Sequence, residues 1–388
     1  MTKKNILQIE KIKIYDTVIE FKERFTHSKK SRKKSENIIL KIYSKTNVGY
    51  GESIPRTYVT GETPQSVIDN LKNKIIPHFK KIKFKSKTHI LESIWKFRLK
   101  LKTNELSAFG AFEIALLHLA AKEINLTIED IFKFMKTTPY KHNKIQYSAV
   151  IGDKILPLMM LKAFVIKKRG FNQVKIKIDE KSLYKLKYLT KILNKQEIRI
   201  DSNCGLKYIT FKKTLEYFNK LNVKLIEQPF KVSLKSNEKA FKLAQKYNID
   251  IILDESLCNL NDLDKLGKQG NIPNIRPTKV GGILSSIYMY KYAKKNNFKV
   301  IFACLVGENI LTRTNIMLSQ HFKTIANEGD YDEFLLVNPI IRNPTFNKQG
   351  VYEHKIMKLG YKTKLNMTLN EITIKKNHYW KMKTFKRQ

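Results

Sequence analysis

Four short runs of β-branched residues each end in charged side chains. They are VKIKID with Lys175 and Lys177, IRIDSN with Asp201 and Asn203, LIEQP with Glu227, and IILDES with Asp254 and Glu255. NIRPTKVGG follows, with Arg276 and Lys279. Asp201, Glu227 and Asp254 recur at nearly even intervals, each one strand-and-helix unit from the next. Three carboxylates that converge without a counter-charge repel one another and raise each other's pKa. A hard divalent cation resolves that conflict, and an all-oxygen donor set suits Mg²⁺. Asp201, Glu227 and Asp254 are therefore candidate metal ligands, with Asn203 and Glu255 placed to support them from just outside.

Lys175 and Lys177 lie two residues apart, on one face of a strand. Two ammonium groups side by side disfavour double protonation. We expect one pKa to fall, leaving a lysine able to act as a base. A base beside Mg²⁺ fits removal of a proton α to a carboxylate, with the metal stabilising the enediolate. Lys-x-Lys alone carries little weight, since it recurs at Lys11/Lys13, Lys100/Lys102 and Lys185/Lys187. A single Asp or Glu at a strand end is more often a helix N-cap. The weight lies in the order KxK, DxN, EQP, DES on consecutive strands.

Those pieces need a scaffold that brings successive strand ends together. From about residue 145, β-branched runs alternate with helical patterns. The runs fall near 145–151, 173–178, 197–201, 223–227, 249–254, 273–278, 298–304 and 334–337. Alternation of this kind implies a parallel sheet, and eight strands fit a TIM-type barrel, whose functional rim is the C-terminal strand ends. Before it, residues 5–14 and 36–44 read as strands, 22–36 as a polar loop with His27, Lys29 and Arg32, and 49–53 as a short strand. Thr63 and Pro64 open a helix as N-cap and N1. Helices over 64–78, 91–101 and 104–123 complete an α+β domain. We place domain boundaries at 1–135, 136–350 and 351–388, the last a tail that packs back on the first domain.

Taken in order, these segments resemble the enolase superfamily, in the muconate-lactonising and dipeptide-epimerase branch of the mandelate racemase/muconate-lactonising enzyme family. GYGESIPRTYVTGET is similar to that branch's capping loop, and AFGAFEIALLHLAAKEIN to the helix before its barrel. KIK, DSN, EQP, DES and KVGGI stand in family order, and VGENILTR is similar to its seventh-strand segment. The resemblance implies an α/β fold: a modified (β/α)7β TIM barrel under an N-terminal α+β capping domain. It makes Lys177 the base, Lys175 its modulator, and Asp201, Glu227 and Asp254 the ligands of Mg²⁺.

One position departs from the pattern. Epimerising members carry a second lysine on the sixth strand, where this chain has Arg276. Lys279 matches a different family lysine, and strand parity puts it on the opposite face from Arg276. Arginine stays protonated and is a poor proton acceptor. Against this, EGDYDEFLL carries Asp330 and Asp332, where dipeptide epimerases hold the substrate α-ammonium with an Asp-x-Asp pair. The expectation is an isomerase, a racemase or epimerase of a dipeptide or N-acylated amino acid. The alternatives are a one-base lyase or cycloisomerase, resembling o-succinylbenzoate synthase or muconate-lactonising enzymes, and a non-catalytic barrel that binds ligands. Arg56, Tyr58 and His27, in the capping loops, are candidate substrate contacts; Glu308 and Glu328 are lesser candidates.

The 388 residues suffice for two domains, and their net charge is +41. The excess is mostly lysine, spread end to end alongside many Ile and Asn, which a coding bias produces without any partner. We therefore expect a small carboxylate substrate as partner, and neither nucleic acid nor membrane. A homo-oligomer is compatible with the sequence. Three scattered cysteines make no disulfide framework or zinc motif. The start MTKKNILQIEKIKI lacks a signal-peptide core, so a cytoplasmic setting is expected.

Overall fold

The computed structural model describes residues 6–27, 30–231, 234–266, 271–329, 344–360 and 374–381. Alternating Ile and charged residues near the N-terminus form β1 (Lys11–His27), which turns back as β2 (Lys30–Tyr43) and continues into β3 (Val48–Ser53). The expected loop over 22–36 is instead the far end of this hairpin, paired as far as His27 and Lys30. Its charged sequence hid it: strand pairing is backbone to backbone and does not require apolar alternation.

Thr63 caps α1 (Pro64–Asn70), accepting from the Ser66 amide at 3.1 Å. A π-helical turn, Leu71–Ile75, joins it to α2 (Ile76–Lys80). Next come α3 (Lys87–Arg98), α4 (Leu106–Ile124) and α5 (Ile128–Phe134). Every residue of α4 from Leu106 to Ala120 is buried, because the helix lies between the N-terminal sheet and the barrel. Gly51 permits that closeness: a Cβ there would stand 1.8 Å from the Ala111 carbonyl oxygen.

The barrel is entered through β4 (Lys144–Gln146). Its staves are β5 (Ala149–Ile151), β6 (Gln173–Lys177), β7 (Glu197–Asp201), β8 (Leu225–Glu227), β9 (Asp250–Leu253), β10 (Ile272–Ile275), β11 (Ile301–Ala303) and β12 (Ala326–Glu328), parallel and adjacent in chain order. The helices between them are α6 (Leu156–Arg169), α7 (Leu186–Ile192), α8 (Tyr208–Lys220), α9 (Leu234–Gln245), α10 (Pro277–Val280), α11 (Ile283–Lys295) and α12 (Ile310–Ser319); a 3₁₀ helix, Leu260–Leu266, crosses from β9 to β10. A bridge between Tyr147 and Asn327, with the Ser148 amide donating to the Asn327 carbonyl at 3.0 Å, returns the last stave to the first. The architecture is a (β/α)7β barrel beneath an α+β cap. β13 (Val351–Glu353) pairs with β4, and β14 (Ile374–Lys381) forms the edge of the cap sheet beside β1. The eighth stave lies at Ala326–Glu328, earlier than the 334–337 expected; that stretch falls outside the described residues. Ala-Asn-Glu carries no apolar signal, because its buried positions hold polar side chains. No helix among the described residues is long and apolar enough to cross a membrane.

Three buried glutamates hold helix starts. Glu62 accepts from the Ser107 and Ala108 amides of α4 at 2.9 and 3.0 Å. Glu113, on α4, accepts from the Leu284 amide of α11 at 2.8 Å. Glu52, on β3, accepts from the Leu311 amide of α12 at 3.1 Å. The last two cross from cap to barrel. Burial outweighs the amide donors and pushes Glu52 and Glu62 up to about 7 and Glu113 up to about 8. The folded chain thus keeps protons that the unfolded chain releases from pH 4.5 upward. Unfolding free energy should fall as pH rises from 4.5 through about 8, and the Glu62→Gln, Glu113→Gln double variant should flatten that decline in urea titrations.

Candidate active site

Parallel staves end at one level, so their last residues share a rim. Lys177, Asp201 and Glu227 close β6, β7 and β8, and register pairs Lys177 with Asp201 and Asp201 with Glu227. Asp254 follows β9, Arg276 follows β10, and Glu328 ends β12. Lys175 and Arg199 sit two residues below the rim, on the inward face. All of these are buried.

The charges interlock. Lys175 Nζ lies 2.8 Å from Asp201 Oδ2, 2.9 Å from Glu227 Oε1 and 3.1 Å from Glu328 Oε1. Lys177 Nζ lies 3.0 Å from Asp201 Oδ2 and donates to Asn203 Oδ1 at 2.7 Å. Arg199 pairs with Glu328 and stands 3.5 Å from Glu227 Oε2. Arg276 grips Asp254 with two parallel hydrogen bonds, Nε to Oδ1 at 2.9 Å and Nη2 to Oδ2 at 2.6 Å. Lys279 donates to Asp254 Oδ1 and to the Asp254 carbonyl, each at 2.7 Å. Strand parity misplaced Lys279, because β10 ends at Ile275 and residues 277–280 form the turn of α10. That turn swings Lys279 back to the carboxylate that Arg276 holds.

Neutral side chains lock the frame. Asn203 takes a left-handed backbone (φ +44°), which asparagine tolerates. Its amide nitrogen donates to Glu255 Oε1 at 2.9 Å while its oxygen serves Lys177. The Gln228 side-chain oxygen accepts from the Asp254 and Ser256 amides at 2.9 and 3.0 Å, bracing the next stave. Asn274 donates to Glu227 Oε1 at 3.0 Å.

Electrostatics follow from this packing. Burial alone would raise Asp201, but Lys175 and Lys177 hold it well below the usual carboxylate range. Against the same burial, Arg276 and Lys279 bring Asp254 down to about 2, and Arg199 and Lys175 bring Glu328 down to about 2. Glu227 goes the other way: burial, then Glu328 beside it, pushes it up to about 7. Burial with Asp254 and Asp201 nearby raises Glu255. The expected fall in lysine pKa does not occur at Lys175. Burial would lower it, but Asp201, Glu227 and Glu328 more than compensate and raise it. Carboxyl groups from three other staves, rather than the ammonium two residues on, set its charge.

A cavity opens above this cluster, lined from the cap by Phe21, Ile54, Arg56 and Tyr58 and from the barrel by Leu305 and Val306. Arg56 is fixed by the Pro55 carbonyl and Ser35 Oγ, each at 2.8 Å. Asp330, Asp332 and the side chain of His27 lie outside the described residues. Glu308 is buried at the start of α12, where its amide donates to Glu52. Arg199 was missed, although its position two residues before Asp201 fixes it on the same inward face. Glu328, a lesser candidate in the sequence, joins this cluster; its three-residue polar strand shows no alternation to mark it.

Among the described residues, no three carboxyl, imidazole or thiol groups stand as a ready-made metal cage. Lys175 and Arg276 bridge the carboxylates instead. The donor chemistry still fits a hard cation. Lys175 links Asp201 to Glu227 and Arg276 links Glu227 to Asp254, so the three carboxyl groups share one cluster, and Glu227 Oε2 is buried without a hydrogen bond.

Residues 160–359 match the family model described as "Enolase C-terminal domain-like". The o-succinylbenzoate synthase of Bacillus subtilis (strain 168) is 23% identical over 326 residues, 81% of this chain and 82% of that protein. The N-succinyl Arg/Lys racemase from Bacillus cereus ATCC 14579 has a similar structure, with TM-score 0.82 and 19% identity over 97% of this chain and all of that one (100%). The dipeptide epimerase from Cytophaga hutchinsonii, solved with Mg and the dipeptide D-Ala-L-Val, gives TM-score 0.79 and 20% identity over 96% and 100%.

Removing one partner from a buried ionic cluster leaves the others unpaired. Glu328→Gln should therefore cost about 3–5 kcal/mol of unfolding free energy in urea, and adding Arg199→Met should return part of it.

Proposed function

The chain belongs to the Enolase C-terminal domain-like family, and from that premise we propose that it is a racemase or epimerase. It removes the proton α to the carboxylate of a dipeptide or N-acylated amino acid. Proton removal is carried by the placement of Lys177 at the end of β6 beside the carboxylate cluster, and the choice of racemase or epimerase is supported by the racemase and the dipeptide epimerase whose structures are similar. A substrate carboxylate drawn into this basic mouth would present its α-carbon to Lys177. Lys177 takes the proton, and Asn203 holds its amine in line. Lys175, Arg276 and Lys279 supply fixed positive charge for the enediolate as its charge develops. Arg56 and Tyr58 in the cavity wall are proposed to meet the distal part of the substrate.

Asp201, Glu227 and Asp254 are the residues that would hold Mg²⁺. Bound there, Mg²⁺ would supply positive charge that stabilises the substrate carboxylate as it gains a second negative charge. The unsatisfied Glu227 Oε2 supports this assignment.

A second reading has its own support. Arg276 is committed to Asp254 by two hydrogen bonds and stays charged, so it is a poor base for the far face of the substrate. A one-base elimination or cycloisomerisation needs only Lys177. Incubation of dipeptide and N-acyl amino acid panels in D₂O with Mg²⁺ separates the two. Deuterium at the α-carbon with inversion supports the epimerase, exchange without inversion supports the one-base reaction, and no exchange with any substrate sinks both. Lys177→Ala should slow exchange by about 10²–10⁴-fold. Mg²⁺ should raise the melting temperature of the unaltered protein, and Asp201→Asn should abolish that rise while the chain stays folded.

A further inference from the structure

We propose that Arg98 and Glu113, cap residues remote from the cavity, are positioning residues that set Arg276 and Lys279 against Asp254. The proposal rests on the catalytic reading of that site given above. The link is the turn Gly281–Gly282, directly after α10, which is a single turn carrying Lys279, with Arg276 at its N-cap. Both glycines have positive φ, +92° and +104°, which other residues adopt only with strain.

The cap grips this turn from two sides. From α3, Arg98 donates to the Val280 carbonyl through Nε at 3.2 Å and Nη2 at 2.9 Å, and Nε also reaches Ser285 Oγ at 2.8 Å. From α4, Glu113 accepts from the Leu284 amide, and its other oxygen packs so closely on Gly282 that a Cβ there would lie 1.3 Å from it. A Cβ on Gly281 would lie 2.5 Å from Arg98 Nε. Ser107 on α4 adds a hydroxyl contact to Thr278 at 2.9 Å.

Arg98 is 2% exposed and Glu113 0% exposed, so each loses solvation on burial. A long cation and a carboxyl group are costly to bury for packing alone. Arg98 also meets the Ser285 and Asn259 side chains, and Glu113 Oε2 makes no hydrogen bond, but their remaining bonds fall on main-chain groups at both ends of one turn. That single turn is closed by main-chain bonds from Lys279, Val280 and Gly282, and the cap braces it from outside. Lys279, in turn, spends its ammonium on Asp254 Oδ1, the Asp254 carbonyl and, at 3.0 Å, the Asn274 carbonyl. A shift of α10 therefore moves two cations relative to one carboxylate.

The test compares Arg98→Met, Arg98→Lys and Gly282→Ala in the full chain, with two readouts. Amine acetylation followed by mass spectrometry reports the exposure of Lys279, with Lys175, equally buried but untouched by the clamp, as internal reference. Arg98→Met and Gly282→Ala should speed labelling of Lys279 by about tenfold and leave Lys175 unchanged, while Arg98→Lys restores part of the protection. In the α-proton exchange assay the same two variants should lower kcat by about 10–100-fold with KM nearly unchanged. Labelling of both lysines rising together means general loosening and overturns the proposal, as does no change at either. Absence of exchange in the unaltered protein would sink the catalytic reading, while the Lys279 labelling would still decide the clamp.

Discussion

A buried charge has to be met by another buried charge, and the mouth of this barrel is built around that constraint. Lys175 touches carboxylates from three staves, and Arg276 and Lys279 converge on one more. No member can be removed or turned without stranding its neighbours. The staves need close register, because a slip of one residue would send each charged side chain to the opposite face. Gln228, Asn203 and Asn274 then tie the stave ends together through hydrogen bonds from uncharged side chains.

The same constraint explains why Glu227 behaves unlike the other carboxylates. It shares Lys175 with Asp201 and Glu328, and the nearby Glu328 opposes its ionisation. The site as it stands has one carboxyl group whose charge is incompletely compensated, and one of its oxygens is unsatisfied.

Much of this was legible in the sequence, for definable reasons. Strand ends are marked by where β-branched runs stop, so Lys177, Asp201, Glu227 and Asp254 could be placed on one rim before any coordinate. Parity then reached Lys175, and would have reached Arg199. It failed at Lys279 because the strand had already ended and a helical turn had begun. It failed at Glu328 because Ala326–Glu328 is too short and too polar to show a period. The β1–β2 hairpin was under-read because its outer half lacks the apolar alternation that marks a strand. Nothing in the chain announces Arg98 or Glu113 as more than ordinary helix residues; their partners are main-chain atoms well over a hundred residues away. Sequence patterns record which face of an element is buried, but not which distant backbone group a buried polar atom will find.

The pairing of β14 with β1 has a consequence for biosynthesis. The edge that β1 offers is made before the barrel, and the strand that covers it, β14, is made after the barrel. Throughout translation of the intervening barrel, that row of amide and carbonyl groups stays open to other chains. The charged residues that alternate along β1 deter such pairing while the edge waits for its own partner.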